Sequence, residues 1–261
     1  MERWRGRAAL VTGASSGTGY AVAEALATHG VNVIGCARRI ENIEELAKKC
    51  ASCGKVTAIK CDLVNEDDIV HMFQRIEKEF GHVDIVVNNA GTFTHDDLLT
   101  GDSKGWKQMI DLNVMALSIC NREALRLMFK DKIDDGHIIN FNSIAGHMNS
   151  QTGHNAFDFY IGAKHMVTAL TKALNAELRQ KKTNIRVTSI SGGLVQTEVG
   201  GDRGDLEKMR ELSPGQIRVL QEKNRFPAQA AKDMADAVLY VVGAPPYVNV
   251  RELTLLMSPI G

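Results

Sequence analysis

Short apolar, β-rich runs alternate with segments of helical periodicity along almost the whole chain, and very few folds accept that alternation. The runs are Ala8–Thr12, Val31–Cys36, Val56–Cys61, Val83–Val87, His137–Asn142, Ile185–Ile190 and Leu253–Met257. Helical patterns fill Tyr20–His29, Ile43–Lys49, Glu66–Phe80, Lys104–Lys130, Phe157–Arg179 and Ala228–Val242. Strands separated by helices cannot pair as hairpins, so they pair in parallel, each crossover helix folding back on the sheet. The expectation is an α/β fold with a mainly seven-stranded parallel sheet and helices on both faces. His29-Gly30 and Phe80-Gly81 mark two helix ends, glycine supplying the left-handed residue past the last turn. With no repeat and no linker-like tract, residues 1–261 are expected to form a single domain. One stretch breaks the rhythm: Ser191–Phe226 is rich in glycine and charge, with a helical piece around Leu206–Leu212. A long insertion in a compact α/β chain is a lid or substrate loop.

Charge and composition exclude several partners. Lys plus Arg and Asp plus Glu both number 31, so no net field recruits nucleic acid or an anionic membrane. No run approaches the ~20 apolar residues of a membrane span, and the one after Arg7 is too short for a signal-peptide core. A cytoplasmic protein is expected, and five cysteines (Cys36, Cys50, Cys53, Cys61, Cys120) suit a reducing compartment. Cys50 and Cys53 have CxxC spacing, but they should close a helix far from the strand-end positions of Cys36 and Cys61, so no tetrahedral zinc site is expected.

After the first strand comes Thr12-Gly13-Ala14-Ser15-Ser16-Gly17-Thr18-Gly19, opening into a helix. Gly13 permits a tight turn, Gly17 lets the backbone approach a pyrophosphate, and Gly19 lets helix and strand pack closely. A diphosphate would meet free N–H groups and the positive helix end, with Ser15, Ser16 and Thr18 beside it. The sheet is therefore expected to be the doubly wound Rossmann type. The second strand runs into Ala37-Arg38-Arg39, where an NAD-selective site would place an acid for the ribose hydroxyls. A small residue and two guanidinium groups suit an added 2′-phosphate instead, so NADP(H) is the expected cofactor. Asp62 could accept a hydrogen bond from the adenine amino group, and Asn88-Asn89-Ala90-Gly91 would let the chain pass close to the adenine ribose and brace the sheet.

Three further features carry chemistry: Asn113 on a long helix, Ser143 just past the fifth strand, and Tyr160-Ile161-Gly162-Ala163-Lys164. Tyr160 and Lys164 are four apart and share a helix face. A phenol near pKa 10 is a poor proton donor-acceptor at neutral pH, and a nearby ammonium together with a positive nicotinamide would favour the phenolate. Ser143 could hold a substrate carbonyl in line. His95, His147 and His154 lie near the expected mouth of the site, but their spacing recommends neither a metal nor a catalytic role. Phe93, Met148, Phe157 and Met209 fit either core or pocket.

Together these motifs resemble the single-domain short-chain dehydrogenases/reductases over nearly the full chain. Gly35–Arg38, Asn42–Ala47, Ala116–Cys120 with Arg122-Glu123-Ala124, and Asp134–Asn140 with Asn142-Ser143 narrow the likeness. They look like the NADP-dependent farnesol dehydrogenases of insects and their vertebrate counterparts acting on steroids. The resemblance implies that Tyr160 is the general acid/base, Lys164 positions the nicotinamide ribose, Ser143 orients substrate, and Asn113 holds a water linking Lys164 to solvent. It extends the cofactor contacts to Leu63, Gly193, Val195 and Thr197. It also implies a homodimer or homotetramer built on the two longest helices, and a small lipophilic alcohol or carbonyl substrate beneath a lid offering Leu194, Val199, Met209 and Leu212. Arg203 and Arg210 could swing into that lid.

The chain departs from the family at two places. Ser191-Gly192-Gly193 stands where Pro-Gly is usual, which should free the backbone near the nicotinamide carboxamide, and Thr18 replaces an aliphatic residue. A catalytically weak NADP-binding regulatory protein is the alternative those departures raise. A sugar-nucleotide epimerase can share YxxxK but normally adds a substrate domain, and a purely structural protein would need neither motif.

Overall fold

The computed structural model describes residues 1–148, 157–193, 195 and 229–256. Seven strands form: β1 (Ala8–Thr12), β2 (Asn32–Ala37), β3 (Val56–Lys60), β4 (Ile85–Asn88), β5 (His137–Ser143), β6 (Arg186–Gly192) and β7 (Glu252–Leu255). All pair in parallel, in the order β3-β2-β1-β4-β5-β6-β7. The chain winds outward from β1 to β3, then returns to β4 on the other side of β1. The direction of winding therefore reverses between β1 and β4, and connections leave their carboxyl ends on opposite faces, opening a crevice there.

Helices cover both faces. On one, α1 (Gly17–Thr28), α2 (Glu41–Lys49) and α7 (Ala231–Gly243) bury Val22, Leu26, Ile43, Leu46 and Val238 against Val11, Ile139 and Ile190. On the other, α3 (Glu66–Phe80), α5 (Leu117–Lys130) and the end of α6 (Asp158–Gln180) bury Phe73, Ile76, Leu127 and Leu178 against Leu10, Val86 and Val187. Adjacent β1 residues Leu10 and Val11 thus serve opposite layers, as a period of two requires. All five residues of β1 are buried, which is why the strand reads as an unbroken apolar run. No helix among the described residues is long and apolar enough to cross a membrane.

The expected single helix over Lys104–Lys130 is not one α-helix. It comprises α4 (Ser103–Ile110), a π-helical turn at Asp111–Ala116, and α5. Ile110, Val114 and Leu117 pack on Ala163 and Val167 of α6. Their spacing is also that of an ordinary helix face, so periodicity alone does not reveal the π turn.

The amino-end rim of the sheet is closed by charge. Asp84 accepts hydrogen bonds from the Ala8 amide and from Arg7 Nε, both 2.8 Å, while Arg7 also grips Asp135 with two bonds of 2.6 Å. Fully buried Trp4 donates from Nε1 to the Val242 carbonyl at 2.8 Å and carries Arg3 and Arg7 over its ring. Beside this cluster His137 is wholly buried, its Nε2 2.8 Å from Thr188 Oγ1. Because Thr188 gives its own hydrogen to the Val250 carbonyl, Nε2 is the protonated nitrogen and Nδ1 is bare. Burial, with Arg186 and Arg3 nearby, pushes this imidazole well below its usual value.

His137 consequently stays neutral in the folded chain while its unfolded counterpart takes up a proton below about pH 6.5. Stability should fall as pH drops through that value, by up to ~1.4 kcal/mol per pH unit. Urea unfolding at pH 7 and pH 5.5 checks this: the midpoint should drop at the lower pH and drop less in His137→Gln. An equal drop in both proteins would refute it.

Candidate active site

The glycine turn between β1 and α1 is shaped by contacts that leave no room for side chains. Gly13 takes φ +66°, and its amide bonds the Cys36 carbonyl at 2.9 Å. A Cβ on Gly19 would lie 2.3 Å from the Gly13 oxygen and 2.5 Å from Asn89 Nδ2. Asn89 holds the turn from β4, donating through Nδ2 to the Thr12 carbonyl at 2.9 Å. Thr12 Oγ1 in return accepts the Asn89 and Ala90 amides, each at 3.0 Å. Without that oxygen the Ala90 amide would lose its partner, at about 1–3 kcal/mol, while the Asn89 amide would keep the Val87 carbonyl. Asn42 of α2 donates to the Ser15 carbonyl at 2.8 Å. No side chain caps α1 at Ser16, whereas Asn65 and Asp102 cap α3 and α4. The first-turn amides of α1, around Gly17 and Thr18, therefore face the crevice without a side-chain acceptor at the cap.

Ala37 is buried at the end of β2, and Arg38 and Arg39 follow it on the surface. Arg38 and Asp62 share a cleft of about 520 Å³ with Lys60 and the α3 side chains Asp68, His71 and Arg75. Asp62 accepts the Val64 amide at 3.3 Å, and Leu63 between them is buried. Cys36, Cys61 and Cys120 lie buried together in the α3–α5 layer, and Cys50 lies in the opposite one, apart from them. Burial pushes the Cys61 thiol up to about 12.

Asn88 reaches into the sheet, donating to Asn121 Oδ1 at 2.7 Å and Asn140 Oδ1 at 2.9 Å, and Asn140 donates to Thr171 of α6 at 3.0 Å. Asn113, 1% exposed on the π turn, clamps Thr92: its Oδ1 accepts the Thr92 amide at 2.7 Å and its Nδ2 donates to the Thr92 carbonyl at 2.8 Å. A Cβ on Gly91 would approach Asn113 Oδ1 to 3.1 Å. Both polar atoms of the Asn113 side chain are thus committed to the loop after β4.

Ser143 ends β5 and caps a short 3-10 turn, Ile144–Gly146, through the Ala145 amide. Its hydroxyl is hydrogen-bonded to the half-buried Tyr160 of α6. Phe93 meets the Tyr160 ring edge-on at 5.3 Å and stacks on Phe157 at 4.8 Å, with His95 edge-on to Phe93. Phe93 and Phe157 therefore line the site. Lys164 is buried; its Nζ donates to the Phe141 carbonyl at 3.2 Å and lies 5.7 Å from the Tyr160 ring centre. Burial draws the Lys164 ammonium down to about 8 and pushes the Tyr160 phenol up, the Ser143 hydrogen bond pulling the phenol the other way. The sequence leads one to expect an ammonium and a nicotinamide together to favour the phenolate; at the phenol itself burial is the larger influence, and the opposing one comes from Ser143.

The segment after β5's neighbour is also tighter than expected. Ser191 and Gly192 belong to β6, and Gly192 pairs with Ser143 on one side and Leu255 on the other. Neither Gly192 nor Gly193 takes a positive φ. The Gly193 amide is bonded to Leu255 O and Gln229 Oε1, both 3.0 Å, and Val195 bridges Gln229. The two strand pairings of Gly192 and the two bonds of the Gly193 amide restrain this backbone without proline's fixed φ. Thr197, Leu194, Val199, Met209, Leu212, Arg203, Arg210, His154 and the helical piece at Leu206–Leu212 lie outside the described residues.

A glycine turn, an Asn–Ser–Tyr–Lys set and a strand reversal thus meet at one end of the sheet. The family model described as short chain dehydrogenase matches residues 7–208. The chain belongs to the short-chain dehydrogenase family. This dehydrogenase is 47% identical over 258 residues to dehydrogenase/reductase SDR family member 11 of Gallus gallus, covering 98% of this chain and 97% of the relative. It is 40% identical over 269 residues to the farnesol dehydrogenase of Aedes aegypti, covering 100% and 99%. Among solved structures, a serine dehydrogenase complexed with NADP+ superposes with a TM-score of 0.80 at 29% identity, covering 96% of this chain and 94% of that one. The dehydrogenase is accordingly an oxidoreductase acting on alcohol and carbonyl groups.

Thr12, Asn42, Asn121 and Thr168 also build this site, and the sequence assigned none of them a role in it. Thr168 of α6 accepts from Asn142 at 2.7 Å and donates to the Gly146 carbonyl at 3.0 Å, holding the turn after Ser143. A threonine within an apolar helix gives no signal until its partner strand is known.

Removing the Ser143 hydroxyl takes away the contact that lowers the Tyr160 phenol, so the midpoint for Tyr160 should rise further in Ser143→Ala. Tyrosinate absorbance, with Tyr160→Phe as the blank that isolates this phenol, reads the shift. A lower midpoint in Ser143→Ala would contradict the geometry.

Proposed function

We propose that this short-chain dehydrogenase uses NADP(H) to interconvert a lipophilic alcohol, of the isoprenoid or steroid kind, with its carbonyl compound. The observation that carries the reading is the Tyr160 hydroxyl, hydrogen-bonded to Ser143 and one helical turn from Lys164. A bound nicotinamide dinucleotide supplies the hydride. The residues fit it: Gly13 and Gly19 let the turn and α1 close onto β1 and Asn89, and the uncapped start of α1 presents Ser15, Ser16, Gly17 and Thr18.

Within that reading, Ser143 and Tyr160 hydrogen-bond the substrate oxygen, and Tyr160 gives or takes its proton. Lys164 holds the nicotinamide ribose, and its charge, added to the cofactor's, offsets the burial that disfavours the phenolate. The Asn113 side chain is spent on Thr92, so a water at this residue would have to be held by its backbone in the π turn. Ala37 and Arg38, with Arg39 beside them, suit a 2′-phosphate, and Asp62, Leu63, Asn89, Ala90 and Gly91 border the adenosine. Gly193 and Val195 would hold the nicotinamide end, a role that the resemblance also gives to Thr197, outside the described residues. Phe93 and Phe157 offer apolar surface beside Tyr160, at roughly 25 cal/mol for each Å² of substrate covered. The single domain of residues 1–261, its substrate loop at 191–226, and a cytoplasmic location complete the reading, five free cysteines favouring a reducing compartment.

One assay tests the chemistry: NADPH- and NADH-coupled turnover of neutral isoprenoid, steroid and short polar substrates. Tyr160→Phe should lose ~10²–10⁴-fold in turnover yet still bind NADPH. Preference should fall on NADPH and on the longer hydrocarbon substrates. Near wild-type turnover in Tyr160→Phe would end the mechanism, and a preference for NADH or for charged substrates would end the corresponding half of the reading. The weak regulatory alternative requires that wild type fail to turn over any of these.

The dehydrogenase is further proposed to form a homodimer or homotetramer through α5 and α6. Met115, Met166 and Leu170 are all more than 40% exposed on the π turn and α6, an apolar strip that a second copy would cover. Light scattering at micromolar concentration should give at least a dimer; a stable monomer would refute this.

A further inference from the structure

The end of β6 is held from the side by an imidazole. His147, four residues beyond Ser143, places Nε2 3.0 Å from Ser191 Oγ and 3.0 Å from Glu252 Oε1. A carboxylate can only accept, so Nε2 carries the hydrogen and shares it between the acid and the hydroxyl. Both contacts use the same ring nitrogen. A relay would need one on each nitrogen, so the arrangement is a clamp and not a proton path. The His147 side chain is 23% exposed and Ser191 is fully buried.

The clamp joins three neighbouring strands. His147 belongs to the turn that leaves β5, Ser191 lies opposite Asn142 in β6, and Glu252 of β7 lies opposite Ser189. The next residue of β6, Gly192, faces Ser143 directly. Gly192 also has little room for the ring that the family usually carries there: its Cβ would meet Met234 Cε at 3.0 Å and Val195 Cγ2 at 3.2 Å. A glycine pair without positive φ has many conformations to lose, and something must restrict them. Gln229 does so at the Gly193 amide, and His147 does so one residue before Gly192.

We propose that His147 is a positioning residue for the reaction: by clamping Ser191 and Glu252 it sets Gly192 and Gly193 against Ser143, and so fixes where the nicotinamide end of the cofactor rests relative to Tyr160. This rests on the NADP(H) reading given above. None of the hydrogen bonds of His147 goes to Tyr160 or Lys164, so its effect is transmitted through the β6 backbone.

The test compares full-length wild type, His147→Ala and His147→Gln, the last keeping a donor near the position of Nε2. Hydrogen exchange of peptides covering 186–193 is read without cofactor, and kcat, KM for NADPH and the pH profile of kcat/KM are read with one carbonyl probe. Loss of a hydrogen bond to a charged group corresponds to roughly tenfold or more. His147→Ala should therefore speed exchange at Gly192–Gly193 by about tenfold, leave β1 protected, and raise KM for NADPH by a similar factor with the pH profile in place. His147→Gln should restore both. Unchanged exchange in His147→Ala overturns the clamp. Faster exchange with unaltered KM and kcat overturns its role in positioning, and loss of a pH limb makes His147 an acid or base instead. Wild type without NADPH turnover defeats the cofactor reading and the positioning role together, while the exchange measurement still decides the clamp itself.

Discussion

A backbone contact that admits no side chain lies where α1 begins. Gly19 sits so near the Gly13 carbonyl and the Asn89 amide that no side chain could intervene, and this fixes how deeply α1 sinks against the sheet. From that contact the remainder follows in sequence. Asn89 is held by Thr12, so the carboxyl ends of β1 and β4 are locked at the point where strand order reverses. The loop after β4 then runs close enough for Asn113 to seize Thr92, and the π turn is brought beside α6, which carries Tyr160 and Lys164. The phosphate cradle and the proton-handling pair are thereby parts of one rigid construction, built mostly from short polar side chains.

Those polar groups make the layer beneath α6 unusual for a parallel sheet, whose faces are ordinarily apolar. Asn140 and Asn142 of β5 and Ser189 and Ser191 of β6 all point to that layer, answered by Thr171, Thr168 and His147. Asn88 Oδ1, Asn142 Oδ1 and Ser189 Oγ are buried with no hydrogen-bond partner among the described residues. Each such group costs about 1–3 kcal/mol. Burying apolar side chains there would be more stabilising, but it would not fix the height of Ser143, the turn that follows it and the end of β6 with the same angular precision. Orientation has been retained at the expense of stability.

The fold was legible because the chain states it redundantly: buried β1 reads as an apolar run, and each helix shows its period. The glycine turn and the Ser143, Tyr160 and Lys164 positions were legible because their spacing relative to strands and helices is itself the signal. What sequence could not supply was competition between forces at one point. Tyr160 beside Lys164 suggests a lowered phenol, yet burial pushes it up and outweighs the Ser143 hydrogen bond. Gly192-Gly193 suggests a loose backbone, yet ladder bonds and Gln229 restrain it. His147 looked incidental because its partners, Ser191 and Glu252, come together only when β6 and β7 pair.

The π turn at Asp111–Ala116 gives the long helical rod two addresses. Its first part, with the turn itself, leans on α6, while α5 beyond it packs on α3 and β4. Each residue of an α-helix advances the side chains by about 100°. The added residue in the turn therefore works as a gear between two otherwise straight shafts: it lets the upstream face look toward the reacting end of the sheet while the downstream face closes the core. A residue removed here would rotate the α5 face that carries Leu125, Leu127 and Met128 by about 100° relative to the upstream face that leans on α6. A stretch that looks like the most ordinary helix in the chain is thus the one least able to change length.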